Sequence, residues 1–341
     1  MKLTSPSVDQ KKIYDTYISA RASAALAVAV RLGVFETLHT NPSDHHAVAQ
    51  KHELHPRGAQ AILRALSAAE ILVHHDGIFS LSEEAKIYLR KDSPFYLGAL
   101  IDMENESFLT PQKLLESAKS GAPSVYGNAD VWEAHEQDPA QAKAFTAAMH
   151  SISITPALAV AQLSIWSKIS TLLDIGGGSG VLPIAITQQH PKINATIFDI
   201  PQVCSIAQEY IEQYSLSERI QTQHGDMFAG AYPKGFDGIL FSQILHDWNY
   251  QQGMQLLQYA KESLQDGGWI IIHEKLTDQN HQHKPLANAL VNLDMLIWTE
   301  GQQYTAMELE KFLQQIGCTK IQTIPTTGYW SVVIGWVSPQ P

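Results

Sequence analysis

Thr171 to Gly180 reads TLLDIGGGSG. A short apolar run, Leu172, Leu173 and Ile175, ends in Gly176, Gly177, Gly178, Ser179 and Gly180, and helical spacing resumes from Val181 to Gln188. The order is strand, glycine turn, helix, which is the plan of a nucleotide-binding corner. Glycine suits the turn because its backbone must take positive φ, and because a side chain would hold a ligand away from the amides that open the helix.

Downstream the same alternation repeats. Further strands are expected at Ala195 to Phe198, Ile220 to His224, Gly238 to Ile244 and Trp269 to His273, with helices between most of them. A doubly wound parallel sheet follows. After a helix over Ala306 to Ile316, two strands, Lys320 to Ile324 and Trp330 to Val337, close the chain as an antiparallel hairpin, giving a seven-stranded, mainly parallel sheet. Each parallel strand ends in a polar group: Asp174 with the glycines, Asp199, Asp226 beside Met227, His246-Asp247, and Glu274. Ligands of such sheets bind outside those ends. Asp199 lies 25 residues past Asp174, a distance that suits an acid accepting hydrogen bonds from ribose hydroxyls. Nicotinamide cofactors and S-adenosylmethionine both carry that ribose. A dinucleotide fingerprint counted from Gly176 finds Gly178 and then Val181 where its third glycine belongs, and the closing hairpin also points to a methyltransferase.

Working back toward the N-terminus, Asp138 as cap, Pro139 at the first helical position and Gln141 three after the cap mark the start of the helix AQAKAFTAAMHSI, preceded by a loop over Ser120 to Gly127. The domain boundary is read near Pro156 to Ser170, dividing residues 1–155 from 156–341. From Ile13 to Phe35 an alanine-rich helix carries Tyr14, Tyr17, Ile18, Ala25, Val28, Ala29 and Leu32 along one side, a face suited either to another subunit or to the chain's own core. A helix at Ser43 to Gln50, a turn at His55 to Arg57, a helix through Ile62, Leu63 and Leu66, and a hairpin at Asp76-Gly77 together look like a winged helix. Five basic against six acidic residues between Asp44 and Arg90 argue against a DNA reader. The pairs His45-His46 and His74-His75 lack partners at ligand spacing and read as solvated surface.

The whole chain has 341 residues, 45% hydrophobic, enough for two domains with a proper core. Its formal net charge of −11 disfavours nucleic acid and anionic membranes. The apolar run Ala22 to Val30 is too short to span a bilayer, and two cysteines, Cys204 and Cys318, fit neither a metal spacing nor a disulfide framework. A soluble cytoplasmic protein without a metal is expected.

The motifs LLDIGGGSG, FDIPQVC, HGDMF, SQILHDW, IIHEKL and DMLIWTEGQQYT, in this order, resemble the small-molecule O-methyltransferases that include plant caffeic acid and animal acetylserotonin enzymes, with bacterial relatives. The resemblance covers nearly the whole chain. It implies a Rossmann-like S-adenosylmethionine domain preceded by a mostly helical winged-helix domain that serves dimerisation and as a substrate lid, hence a homodimer acting on a small-molecule acceptor. It further implies cofactor binding by Asp174, Gly176, Gly178, Asp199, Ile200, Asp226, Met227, Phe228 and Ser242. Gly176 would lie against the methionine part, Asp199 would hold the ribose, and Asp226 with Met227 would flank the adenine. His246 would be the general base and Glu274 its support. Two positions depart from the plant pattern: Gln303 stands where a second supporting glutamate is found, and Ser242 where a cofactor-contacting lysine is found.

The chemistry is consistent with that casting. Methyl transfer from a sulfonium is an in-line displacement, so the enzyme mainly aligns the acceptor and removes a proton. A phenol titrates near ~10 and a free imidazole near ~6.5, so a neutral histidine can take the proton as the oxygen attacks. Asp247 could also support the imidazole, but a role capping the next helix is favoured; His273, on the opposite face from Glu274, reads as packing. Candidate walls for the acceptor are Phe145, Met149, Trp248, Met295, Trp298 and Tyr304, each of which ordinary core packing would equally explain. Asn292 and Asp294 are further polar candidates. The alternatives kept are the same cofactor serving C- or N-methylation or a non-methylating reaction, and an NAD-dependent oxidoreductase.

Overall fold

The computed structural model describes residues 4–104, 109–125, 138–278 and 284–339. Two compact units divide between residues 106 and 107. In the first, the predicted helix Ile13 to Phe35 is three pieces, Lys11–Ile18, Ala20–Leu32 and Val34–Thr40; the first break falls at Ser19, and the second at Gly33, which takes φ +74° and caps the helix with a left-handed turn. Ala29 is buried, whereas Tyr14, Tyr17 and Val28 face solvent in the single chain. Helices His45–Lys51 and Pro56–Ala68 lead into strands β1 (Leu72–His75) and β2 (Ile78–Leu81), an antiparallel hairpin closed at His75 and Ile78 by Asp76 (φ +49°) and Gly77 (φ +83°). Two consecutive positive φ values give the turn a twist that matches the strands.

The second unit holds the sheet. Its strands are β3 (Thr171–Ile175), β4 (Asn194–Asp199), β5 (Ile220–His224), β6 (Phe236–Ser242), β7 (Leu264–Lys275), β8 (Cys318–Pro325) and β9 (Trp330–Val337), in the order β5-β4-β3-β6-β7-β9-β8. All neighbours from β5 to β7 are parallel, and β9 enters antiparallel between β7 and β8. Leu172, Leu240 and Ile271 face one apolar layer and Leu173, Phe241 and Ile272 the other, so both faces of the central strands are covered. β6, expected to run to Ile244, stops at Ser242 because Gln243 turns to φ +55°.

Asp138 Oδ1 accepts the Ala140 and Gln141 amides at 3.0 and 3.1 Å, as its capping pattern predicts. The helix it opens runs from Pro139 to Val160, passing through Pro156, and its apolar residues Ala157 and Val160 join the core of the second unit. It therefore packs with the sheet by contact, although the sequence division at 155/156 assigns most of it to the first domain. Gly127 lies outside the described residues. Among those residues no single helix is long and apolar enough to cross a membrane, and no group of three or more His, Cys, Asp or Glu is placed to hold a metal. Both cysteines are buried and free.

Candidate active site

The carboxyl ends of β3, β4, β6 and β7 bring most of the predicted residues together. At β3, Gly176 donates its amide to the Phe198 carbonyl at 2.8 Å, which fastens the glycine turn to β4. Gly178, at φ +56°, donates its amide to Asp199 Oδ2 at 2.9 Å, and Ile200 donates to Asp199 Oδ1 at 2.8 Å. A Cβ on Gly178 would meet nothing within 4 Å, so the turn leaves open space above it. Burial pushes the Asp199 pKa up to about 6, against the two amides that lower it. Asp174 lies beneath the turn, almost wholly buried, with Oδ1 lacking a hydrogen-bond partner; burial first, and the Asp199 charge second, hold its pKa well above the carboxylate range. A buried carboxylate oxygen without a donor beside an open turn fits a ligand that carries donors. Asp226 Oδ1 accepts the Phe228 amide at 2.8 Å and is otherwise exposed, while Met227 and Phe228 pack on the core cluster. Phe228 meets Trp248 edge-on at 4.6 Å.

His246 sits in a short 3-10 turn, Leu245–Asp247, beyond β6, and is 9% exposed. Its Nδ1 lies 3.2 Å from Glu274 Oε2 and 2.8 Å from the Gln303 amide, and its backbone amide donates to Glu274 Oε1 at 3.4 Å. Glu274, 1% exposed, stands at the end of β7. Burial lowers the imidazole pKa, helped by the Lys275 charge, and burial raises that of Glu274, helped by Asp247. Gln303 arrives on a loop that is bound at several points. Its amide donates to Asn292 Oδ1 at 2.7 Å, Thr277 donates to the Tyr304 carbonyl, and the Tyr304 hydroxyl donates to the Trp248 carbonyl at 2.9 Å. Gly301 allows the closest approach: a Cβ there would overlap the His246 carbonyl.

Several expectations change here. Asp247 does not cap the following helix; Asn249 does, in a capping box with Gln252. Asp247 is instead buried with Oδ1 3.6 Å from His246 Nε2, because the 3-10 turn places its side chain beside the ring. Ser242 donates to or accepts from His273 Nδ1 at 2.9 Å, and His273 is fully buried on the face away from Glu274, stacked on Trp330. Among the proposed acceptor walls, Phe145 and Trp298 lie with ring centroids 6.3 Å apart, Met149 is half-buried and Met295 buried. Tyr304 joins the core cluster, edge-on to Phe312 at 5.2 Å.

Three contacts were not legible in the sequence. His150 Nδ1 lies 2.8 Å from Ser179 Oγ of the glycine turn, with its ring stacked on Tyr210 at 4.1 Å. Gln243 donates its side-chain amide to Ser153 Oγ at 2.9 Å. Gln303 was singled out only as a missing carboxylate. The signal available for the first two was a row of buried polar residues, Thr146, His150 and Ser153, at helical spacing in the helix Pro139–Val160.

Comparison with known proteins gives the family and the fold. Residues 113–319 match the O-methyltransferase domain family and residues 15–91 the O-methyltransferase dimerisation domain. The 3-hydroxy-5-methyl-1-naphthoate 3-O-methyltransferase of Streptomyces sahachiroi is 30% identical over 88% of this chain and 86% of its own length. The tetracenomycin polyketide synthesis 8-O-methyl transferase TcmO of Streptomyces glaucescens is 27% identical over 92% of each. In fold, the chain is similar to human N-acetylserotonin methyltransferase, crystallised with S-adenosylmethionine, at a TM-score of 0.85 and 24% identity over 98% of this chain and all of the other. A glycine turn tied to an acid on the next strand, a buried imidazole at the end of β6, and these matches across both units have one common reading: the chain belongs to the S-adenosylmethionine-dependent O-methyltransferase family.

Proposed function

We propose that this O-methyltransferase methylates a hydroxyl of a small aromatic or polyketide-like metabolite, with His246 as general base. The observation that carries the reading is the imidazole of His246, buried at the same sheet end as the glycine turn and gripped at Nδ1 by Glu274 and Gln303. The naphthoate and tetracenomycin substrates in the relatives' names support the acceptor class. The match of residues 15–91, together with exposed Ile13, Tyr14 and Tyr17, supports a homodimer formed through the first unit, and free buried cysteines suit a cytoplasmic enzyme.

Bound S-adenosylmethionine supplies a methyl group on a positively charged sulfur. Asp199 would accept the ribose hydroxyls, Asp174 and the glycine turn would hold the amino-acid end, and Asp226, Met227 and Phe228 would border the adenine; Ile200 and Ser242 complete the rim. What remains for the protein is to align the acceptor and take its proton. Burial keeps the imidazole neutral, with one N–H. The Gln303 amide nitrogen stands against Nδ1 and the Gln303 side-chain oxygen lacks a partner, so turning that amide over lets the oxygen accept a hydrogen carried on Nδ1, 3.2 Å from Glu274 Oε2. Nε2 then presents its lone pair. As Nε2 takes the acceptor's proton, positive charge develops on the ring beside Glu274. A buried carboxylate whose isolated charge is costly is relieved by that neighbour, so the ion pair forms more readily than either ion alone. Phe145, Met149, Trp248, Met295, Trp298 and Tyr304 are proposed to bound the acceptor.

Calorimetric titration with S-adenosylhomocysteine and, separately, NAD tests the site, on the wild type and Asp199→Ala. Binding of the sulfur compound alone, weakened in the variant, is expected, followed by transfer of labelled methyl to phenolic acceptors. Unchanged binding in the variant would remove Asp199 from the site, and transfer to nitrogen or carbon alone would refute the hydroxyl acceptor.

A further inference from the structure

Gln243 is the residue at which β6 ends, and nothing in its side chain favours the backbone it adopts. Its φ of +55° lies in the left-handed region, where a non-glycine residue is uncommon and costs strain that the surroundings must offset. The offsetting contacts are identifiable. Ser242 is bound to His273 Nδ1 at 2.9 Å, and the Gln243 amide donates to the His273 carbonyl at 3.0 Å, both across the sheet. Ile244 packs into the glycine turn, where a Cβ on Gly176 would overlap its Cδ1. The remaining tie comes from outside the sheet: the Gln243 side-chain amide donates to Ser153 Oγ at 2.9 Å, and Ser153 is 3% exposed on the helix Pro139–Val160. The left-handed turn at Gln243 leads through Ile244 directly into the 3-10 turn Leu245–Asp247 that carries His246, so where Gln243 is held sets where that turn begins.

The same helix presents Phe145 and Met149, and with Ser153 these stand four residues apart on one side. One rigid helix therefore carries two of the proposed acceptor walls and the anchor of the turn that aims the imidazole. We propose that Gln243 is a positioning residue for His246, fixed by Ser153, so that the placement of the acceptor wall and the aim of the base are set by a single helix. This inference rests on the reading of His246 as the base.

Gln243→Asn is the decisive variant. Asparagine tolerates positive φ but is one methylene too short to reach Ser153 Oγ, so the turn is kept and the tie is lost. The expected result is a fall in kcat of roughly 10- to 100-fold, the scale of a displacement of about 1 Å at a reacting group, with KM for S-adenosylmethionine within about threefold and a Tm only slightly lowered by the lost buried hydrogen bond. Ser153→Ala should reproduce the kcat loss, and the double variant should be no worse than the poorer single one. Imidazole ¹⁵N resonances of His246, assigned by their absence in His246→Ala, should shift in both variants. Losses that multiply in the double variant, or unshifted imidazole resonances, would overturn the proposal. If His246→Ala retains full turnover the base reading fails, whereas loss in His246→Ala with full turnover in Gln243→Asn sinks the positioning role alone. Should Gln243→Asn fail to fold, Ser153→Ala carries the test, since alanine suits a helix interior.

Discussion

The glycine turn after β3 and the cage around His246 stand at the same end of one sheet, yet they are built by opposite means. The turn is made of backbone. Its amides at Gly176 and Gly178 are spent on β4 and Asp199, and the space above Gly178 is open. The cage is made of side chains from three separated segments, Glu274 at the end of β7, Gln303 on the loop before a helix, and Asp247 beside the ring, all buried. A surface proposed to hold a cofactor needs a fixed backbone and room, which a local run of glycines provides. A base needs its protonation and tautomer set, which takes low dielectric and several partners at once.

If the two regions are separable, variants in one should leave the other intact. The largest effect is expected from His246→Ala: turnover falls by about 10²- to 10⁴-fold, as for loss of a general base, while S-adenosylhomocysteine affinity measured by calorimetry stays within about twofold. A comparable loss of affinity would join the regions. The converse is Asp199→Ala, expected to weaken S-adenosylhomocysteine roughly 10- to 100-fold, as for loss of charge-assisted hydrogen bonds, with kcat at saturating cofactor nearly retained.

Gly301→Ala probes the cage from its backbone. The added methyl overlaps the His246 carbonyl, so either the loop carrying Gln303 or the 3-10 turn must shift. Overpacking of this kind costs about 1–3 kcal/mol, to be read from denaturant midpoints at constant m-value, and kcat should fall further than the cofactor affinity. An unaltered kcat would show that the clasp does not govern the ring.

Proton occupancy separates the regions more finely. With the Asp199 pKa near 6, its carboxylate is lost as pH falls through that value, so S-adenosylhomocysteine affinity should decline up to about tenfold per unit below it and be flat in Asp199→Asn. The last effect is on stability. Burial and the Lys275 charge lower the His273 pKa to about 3, below the ordinary ~6.5 of an unfolded chain. The unfolded state then binds the proton first, and the stability contributed by neutral His273 is full above ~6.5 and lost as pH falls toward 3. His273→Leu should flatten that limb of the curve of Tm against pH; an unchanged slope would show that His273 titrates alike in both states.

The sequence allowed more of the first region than of the second to be read. The five parallel strands, the closing hairpin and the glycine turn follow from local patterns, since alternation of apolar runs with glycine and acidic strand ends is a short-range signal. The bond from Gly178 to Asp199, by contrast, joins the turn after β3 to the end of β4 and is seen only in the structure. The cap at Asp138 was equally local. Asp247 was misread because its fate depended on where a 3-10 turn placed it beside His246, and the β6 end was misplaced by two residues because the left-handed Gln243 is held by Ser153 and His273, 90 and 30 residues away. The helix expected over Ile13 to Phe35 differs for simpler, local reasons, a break at Ser19 and a left-handed glycine at position 33.

Sequence alone therefore determined the order of strands and helices, the glycine turn, and the histidine that stands beyond β6, because each is encoded within a few residues. Only the tertiary structure decided which partners surround that imidazole, that Gln303 meets Nδ1, and that a helix preceding the sheet is tied through Ser153 to Gln243, three residues before His246. Such contacts join residues far apart in the chain, and their geometry and burial are fixed by the packing of the sheet and its helices, which no local pattern records.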